Sequence, residues 1–198
     1  VDSDHGHCPK TARSTSGAVA ILHGPHNTRA TLGWFAKRQT HAAPSTGDAE
    51  VASVDAGVRG LALPLAQILE LLFGYVLNET VESDATAAIG AIKNGFGPMI
   101  YMAKTQRVSH GFLTDYFTLQ DHRNHVKIDG EKNSADLFTK MLGNPRHCEL
   151  RLLAGFYTKR QREQRHVAHS ARWQHAYHRH TCQRCATVYL HKHQLLGA

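Results

Sequence analysis

The stretch Gly17–Phe35, GAVAILHGPHNTRATLGWF, carries the clearest strand pattern of the chain. Two short apolar segments, Gly17–Leu22 and Thr31–Phe35, flank a polar stretch that contains Gly24, Pro25 and Asn27. Glycine, proline and asparagine are typical turn residues, and short apolar runs on both sides of such a turn are typical of paired strands. The stretch therefore predicts two strands joined by a turn.

The longest helical pattern follows the second strand and covers Asp48–Leu72. Its apolar residues recur at spacings of three, four and seven, which places them on one face of a helix: Val51, Val54, Val58, Leu61, Leu65, Ile68 and Leu72. Because proline lacks the amide hydrogen that a helix interior requires, we expect Pro64 to kink this helix or to split it in two.

Shorter segments extend the alternation of strands and helices. The patterns predict a strand at Leu77–Glu82, a helix at Ala85–Ile92, a helix at Gln106–Leu119, a strand at His125–Ile128 and a helix at Ser134–Leu142. A strand stub at the N-terminus completes the order. The sequence therefore predicts the α/β class, with a mixed sheet and helices.

The charge is distributed unevenly along the 198 residues. Residues 1–157 carry 15 Lys and Arg against 15 Asp and Glu, whereas residues 158–198 carry 8 Lys and Arg against the single Glu163. The tail therefore holds the whole net charge of +7. We expect a balanced domain over 1–157, followed by a basic, His-rich tail over 158–198 that suits contact with phosphates.

Two observations bear on the cellular location. We expect no run to reach the roughly 20 apolar residues of a membrane span, and no signal peptide is recognisable. The four cysteines, Cys8, Cys148, Cys182 and Cys185, are too scattered for a disulfide scaffold. We therefore expect an intracellular protein without a membrane partner, with no basis for choosing between cytoplasm and nucleus.

Four acids lie far apart in the sequence, each near the boundary of an expected element. They are Asp2 in VDSDHG, Glu50 in GDAEVASV, Asp84 in VESDATAAI and Asp136 in NSADLFTK. Carboxylates are the ligands that Mg²⁺ prefers, so these acids predict a site for two divalent ions if folding gathers them. Only Val1 precedes Asp2, and we expect the strand that carries Asp2 to be truncated.

Five ordered segments resemble one family. They are CPKTARSTSG (Cys8–Gly17), GWFAKRQTHAAPST (Gly33–Thr46), AEVAS (Ala49–Ser53), SDATAAI (Ser83–Ile89) and SADLFTKML (Ser134–Leu142). In order and approximate spacing they resemble the ribonuclease H domain of copia-type retrotransposon polyproteins. The resemblance covers residues 1–157 and implies a ribonuclease H-like mixed sheet flanked by helices.

The resemblance also implies a function. It places Asp2, Glu50, Asp84 and Asp136 on the four acids that hold two Mg²⁺ ions, for which Mn²⁺ can substitute. It implies a hydrolase that cleaves the RNA strand of RNA–DNA hybrids, working beside a reverse transcriptase domain of the same polyprotein. His110 is a candidate for assisting proton transfer or product release, the alternative being an ordinary surface histidine. Arg13, Lys37 and Arg38, on or beside the strands, are candidate contacts to the hybrid.

Two alternatives depend on the tail instead. Cys182, Cys185, His191 and His193 offer four ligands of the kind that tetrahedral zinc takes, although Cys185 and His191 lie closer together than in a familiar zinc finger. The tail could thus be a zinc-stabilised interaction module. In the other alternative, the domain is a catalytically inactive remnant that binds nucleic acid through its basic tail.

Overall fold

The computed structural model describes residues 1–24, 28–95, 99 and 101–161. The chain separates into two compact units, Val1–Phe156 and Tyr157–Ala198. The candidate zinc ligands and all but the first few residues of the basic tail lie outside the described residues. The elements of the first unit form the mixed α/β arrangement that the sequence predicts.

The first sheet has three antiparallel strands in the order β1-β2-β3, with bounds Asp2–Asp4 for β1, Thr15–His23 for β2 and Arg29–Arg38 for β3. The two strands predicted from the apolar segments are thereby confirmed, and each is longer than predicted. β1 is short and pairs only with the start of β2, where Asp2 lies opposite Gly17 and Asp4 opposite Thr15.

One long helical segment follows β3 in three parts, bounded by Thr46–Gly57 for α1, Val58–Ala62 for a π-helical turn and Leu63–Phe73 for α2. Ser45 caps α1 by accepting a hydrogen bond from the amide of Asp48 at 3.2 Å. Pro64 lies in the first turn of α2, immediately after the π-helical turn. The predicted effect of Pro64 therefore appears as a change of helix type, and the chain stays helical throughout.

This helical segment, Thr46–Phe73, is 28 residues long and apolar enough by length and composition to cross a membrane. The prediction that no segment reaches this threshold is therefore wrong. The first part of the helix nevertheless belongs to the protein core, because Val51, Val54 and Val58 are fully buried. Apolar exposure is concentrated in α2, where Leu71 is 85% exposed and Leu72 is 70% exposed.

The second sheet consists of two parallel strands, and three helices lie between them in sequence. Their bounds are Glu79–Ser83 for β4, Thr86–Asn94 for α3, Met102–Thr105 for α4, His110–Thr118 for α5 and Arg123–Lys127 for β5. The helix predicted from Gln106 begins only at His110. Arg107 has a left-handed backbone with φ of 60°, and Ser109 caps the helix through the amide of Phe112.

The helix predicted at Ser134–Leu142 is not an α-helix. The segment contains a 3₁₀ helix, Ser134–Phe138, which the Asn133 side chain caps by accepting from the amide of Ala135. A shorter 3₁₀ helix precedes it at Gly130–Lys132, and an unpredicted helix, α6, covers Asn144–Leu153. Proline at the start of α6 begins a new helix more readily than it continues an old one.

The core of this unit lies where α1, α3, α4 and α5 meet β4. Its fully buried side chains include Val51, Val54, Ile92, Met102 and Leu113. The apolar residues that recur every three or four positions along the helix thus pack inward, as their spacing predicts. α1 also lies against β1 and β2, which places Glu50 of α1 near Asp2 of β1.

Candidate metal centre

Three of the four acids predicted from the sequence converge. Asp2 lies on β1, Asp84 follows β4 directly, and Asp136 lies in the 3₁₀ helix Ser134–Phe138. Each offers a carboxylate oxygen, and these oxygens all lie within 4.8 Å of one another. Three separate parts of the chain therefore bring carboxylates close enough together that they could hold a metal ion.

A glycine explains how the 3₁₀ helix comes close enough. Gly17 lies opposite Asp2 in the strand pair, and a Cβ atom added to it would lie 2.6 Å from Thr139 Cγ2 and 3.0 Å from Phe138 Cβ. Only a residue without a side chain allows this approach. Gly17 therefore lets the segment that carries Asp136 pack directly on β2.

Gly17→Ala is expected to lower stability by about 1–3 kcal/mol, because the new methyl group must displace Thr139 and Phe138. Thermal unfolding measures the effect. Gly90→Ala is the matched control, since a Cβ at Gly90 in α3 meets nothing within 4 Å and alanine favours a helix. Equal unfolding temperatures for Gly17→Ala and the unmodified protein would contradict the packing argument.

Asp2 is the most enclosed member of the group, with its side chain 1% exposed. The Thr139 hydroxyl donates to its Oδ2, and the Asn133 amide donates to its Oδ1 at 3.5 Å. Burial raises the pKa of Asp2 from 3.8 to about 6, in spite of the lowering effects of Thr139 and Lys140. The negative charges of Asp136 and Asp84 add to this rise.

Glu50 lies next to this group but outside the set whose oxygens are within 4.8 Å of one another. α1 holds it in the interior at 5% exposure, and its Oε2 has no hydrogen-bond partner among the described residues. Burial first, and then the charge of Asp2, raise the pKa of Glu50 from 4.5 to about 7. A buried, unpartnered carboxylate oxygen is satisfied by a proton or by a cation.

Lys140 brings a positive charge into the site. Its Nζ lies 2.8 Å from Asp136 Oδ1 and 3.3 Å from Asp2 Oδ1, so it bridges two of the three acids. The sequence reasoning missed this residue, as it missed Thr139 and Asn133. Its position four residues after Asp136 is the signal that could have revealed it, because such pairs share one side of a helical turn.

Lys140→Met is expected to lower the unfolding temperature of the metal-free protein at pH 8, because Asp2 and Asp136 lose their shared counter-charge. The same change should tighten Mn²⁺ binding by about tenfold, or roughly 1.4 kcal/mol, since a competing cation is gone. Calorimetric titration with Mn²⁺ measures this. Lys132→Met, at an exposed position of the neighbouring 3₁₀ helix, is the control. Weaker Mn²⁺ binding in Lys140→Met would contradict the competition.

His110 is not a member of the acid group. It begins α5 and is buried, and neither of its ring nitrogens has a hydrogen-bond partner among the described residues. Burial lowers its pKa, and the opposing charges come from Asp48 and Asp55 of α1. The structure therefore places His110 against α1, and the surface position considered as its alternative is wrong.

The three candidate contacts to nucleic acid are exposed and lie near one another. Arg38 pairs with Thr15 and Lys37 with Ser16 across the β2–β3 ladder, and Arg13 precedes Thr15 by two residues. The same end of β2 also pairs with β1, the strand that contains Asp2. Positive side chains thus lie a few residues away from the acids along the sheet.

A second group of candidate ligands lies elsewhere and is already engaged. Glu70, Glu79 and His122 also offer atoms within 4.8 Å of one another. The carboxylate of Glu79, however, accepts from Arg123 at 2.9 Å and from the Tyr116 hydroxyl. We interpret this group as an internal hydrogen-bond network.

No family model, no curated protein and no solved structure matches this chain. The geometry of the acids and the ordered sequence segments around them are therefore the features that indicate a function.

Proposed function

We propose that residues 1–157 form a ribonuclease H-type hydrolase that cleaves the RNA strand of an RNA–DNA hybrid. The observation that carries the proposal is the convergence of Asp2, Asp84 and Asp136 within 4.8 Å, with Glu50 beside them. The resemblance to copia-type ribonuclease H domains rests on sequence segments around these same acids. Geometry and sequence thus point to the same residues.

The strand arrangement supports the proposed fold. β1 pairs with β2 on one side, and the Val1 nitrogen donates to the Glu82 carbonyl of β4 at 2.7 Å on the other. This contact connects the antiparallel sheet to the parallel pair β4-β5. A ribonuclease H-like fold would have one mixed sheet with β1 at its centre; in this structure the two sheets keep separate ladders, and the Val1 contact brings them together at β1.

The donor set fits magnesium. All the converging ligands are carboxylate oxygens, which a hard cation prefers to nitrogen or sulfur. The unpartnered Glu50 Oε2 and the raised pKa values of Asp2 and Glu50 indicate an excess of buried negative charge. Two bound Mg²⁺ ions, or Mn²⁺ in their place, would activate the attacking water and stabilise the leaving oxygen of the phosphodiester.

Each side chain near the acids has a separate proposed role. Asp2, Asp84 and Asp136 would hold the ions, and Thr139 and Asn133 fix the orientation of Asp2 through hydrogen bonds. Glu50, which the resemblance also makes a metal ligand, would have to give up its proton to join them, since metal ligands must be deprotonated. Arg13, Lys37 and Arg38 would contact phosphates of the hybrid, which is read mostly by its shape and its 2′-hydroxyl groups.

The test is cleavage of an end-labelled RNA–DNA hybrid in Mg²⁺, beside RNA–RNA and DNA–DNA duplexes of the same sequence. We expect cuts in the RNA strand of the hybrid alone, and none when EDTA is present. Hybrid binding without cleavage, weakening steeply as salt is added, would instead support the inactive remnant that binds through its tail. Stoichiometric zinc in the purified protein would support the zinc-stabilised module.

A further inference from the structure

Lys140 connects the protein surface to the acid group. Its side chain is 39% exposed, whereas the side chains of its two partners, Asp2 and Asp136, are 1% and 10% exposed. Glu50 beside them is buried as well, and its Oε2 has no hydrogen-bond partner among the described residues. A substrate that reaches these carboxylates from solvent therefore comes close to the ammonium group of Lys140.

The backbone of Lys140 is fixed, but its ammonium group can move. The Lys140 amide donates to the Asp136 carbonyl at 3.0 Å, and the hydroxyl of the preceding Thr139 donates to Asp2. A flexible four-carbon stem separates the ammonium group from this anchored backbone. Lys140 can therefore exchange its present carboxylate partners for another anion without a change in the fold of the segment.

The charges of the site indicate what the other anion is. When ionised, the carboxylates match the charge of two divalent cations: Asp2, Glu50, Asp84 and Asp136. The positive charge of Lys140 then has no counterpart among them. A phosphodiester carries one negative charge, and lysine commonly binds phosphate as a point charge. A phosphate oxygen of the substrate is therefore the partner that suits Lys140 when the acids hold cations.

We propose that Lys140 is a substrate-binding residue, which bridges Asp2 and Asp136 in the metal-free protein and contacts the hybrid's phosphate at the acids when these hold divalent ions. The inference rests on the proposed function and specifies one of its substrate contacts. A positive charge at that phosphate also stabilises the negative charge that develops during hydrolysis. The alternative is a permanent ion pair that only stabilises the fold, and the two roles predict different results.

The salt dependence of hybrid binding distinguishes the two roles. A short fluorescein-labelled RNA–DNA hybrid is titrated with the full chain at several salt concentrations, either in Ca²⁺ or in EDTA. Ca²⁺ takes oxygen ligands as Mg²⁺ does, in a more flexible geometry, and gel electrophoresis checks that the hybrid stays intact. Lys140→Met should lower the slope of log K against log salt by about one in Ca²⁺. In EDTA the slope should stay unchanged, because Asp2 and Asp136 engage Lys140 there.

Two further variants serve as controls, and circular dichroism establishes that each variant is folded. Lys140→Arg keeps the positive charge and should keep the slope of the unmodified protein. Lys132→Met, at an exposed position of the neighbouring 3₁₀ helix, should have the same effect on the slope in Ca²⁺ as in EDTA. The proposal is overturned if Lys140→Met keeps the full slope in Ca²⁺, or if its slope falls equally in Ca²⁺ and EDTA. A protein that does not bind the hybrid at all would overturn it together with the proposed function.

Cleavage kinetics provide an independent readout. In saturating Mg²⁺ and with the protein in excess over the hybrid, Lys140→Met should cleave at least about tenfold more slowly than the unmodified protein. Because the same variant is expected to bind Mn²⁺ more tightly, loss of metal cannot explain a lower rate. An undiminished rate in Lys140→Met would overturn the proposal and leave the proposed function intact. Absence of cleavage by the unmodified protein, with the difference in slope present, would contradict the proposed function and support the phosphate contact.

Discussion

Asp84→Asn is expected to reduce cleavage of the RNA–DNA hybrid in saturating Mg²⁺ by at least about 100-fold. Asparagine keeps the shape of the side chain but removes one of three converging charges. Asp84 is the most informative choice, because Asp2 and Asp136 also bond to Lys140 and their replacement would disturb that contact. The rate constant for RNA cleavage, measured by gel electrophoresis of labelled substrate, reports the effect.

A stability measurement separates loss of chemistry from loss of folding. Removing the charge of Asp84 reduces repulsion within the acid group, so the metal-free variant should unfold at the same temperature as the unmodified protein or higher. Asp115→Asn, at an exposed position of α5, should retain full activity. Equal cleavage by Asp84→Asn and the unmodified protein would rule out a metal-dependent role for this carboxylate.

The contributions of Glu50 and Asp2 to the stability of the metal-free protein are expected to fall as the pH rises from about 5 to 8. The pKa of Glu50 is about 7 in the folded chain against 4.5 ordinarily, and that of Asp2 is about 6 against 3.8. The carboxyl groups of Glu50 and Asp2 therefore keep their protons in the folded state at pH values where they lose them in the unfolded state. The loss in free energy of unfolding begins as the pH rises above the ordinary pKa values. It is complete once the pH exceeds the pKa values of the folded state. For Glu50 the difference between 4.5 and 7 corresponds to on the order of 3 kcal/mol.

Denaturant unfolding at several pH values, with and without Mg²⁺, measures this effect. Magnesium should stabilise the protein more at pH 8 than at pH 5.5, because protons compete with it for the carboxylates. Glu50→Gln should remove the part of the loss that Glu50 contributes, whereas Glu131→Gln, at an exposed position, should not. An identical pH dependence in Glu50→Gln and the unmodified protein would contradict the raised pKa of Glu50. This comparison is needed because burial lowers the pKa of His125 to about 4, which makes its contribution to stability rise with pH.

The spacing of apolar residues along the sequence predicted those helices and strands in which one face is regularly apolar. The hairpin β2–β3 and the helix that carries Val51, Val54 and Val58 both followed from periodicity. The predictions were wrong where contacts distant in sequence decide the backbone. Lys140 bonds to Asp2, 138 residues away, and Thr139 bonds to the same carboxylate. These contacts hold the chain after Asp136 out of the α-helix that its sequence favours.

The acid site was predictable only in part, for a related reason. Asp2, Asp84 and Asp136 could be proposed because each lies beside a recognisable segment, and folding does gather them. The distance of Glu50 from this group, and the location of His110 against α1, depend on how helices pack rather than on spacing.

A crystal structure of the protein soaked in Mn²⁺, with an anomalous difference map, tests the central claim most directly. We predict anomalous density between the carboxylates of Asp2, Asp84 and Asp136, with Lys140 Nζ displaced from its present contacts. The second group, Glu70, Glu79 and His122, serves as an internal comparison and should remain empty. Mn²⁺ bound only at that second group, or at neither, with Lys140 still bridging Asp2 and Asp136, would contradict the account.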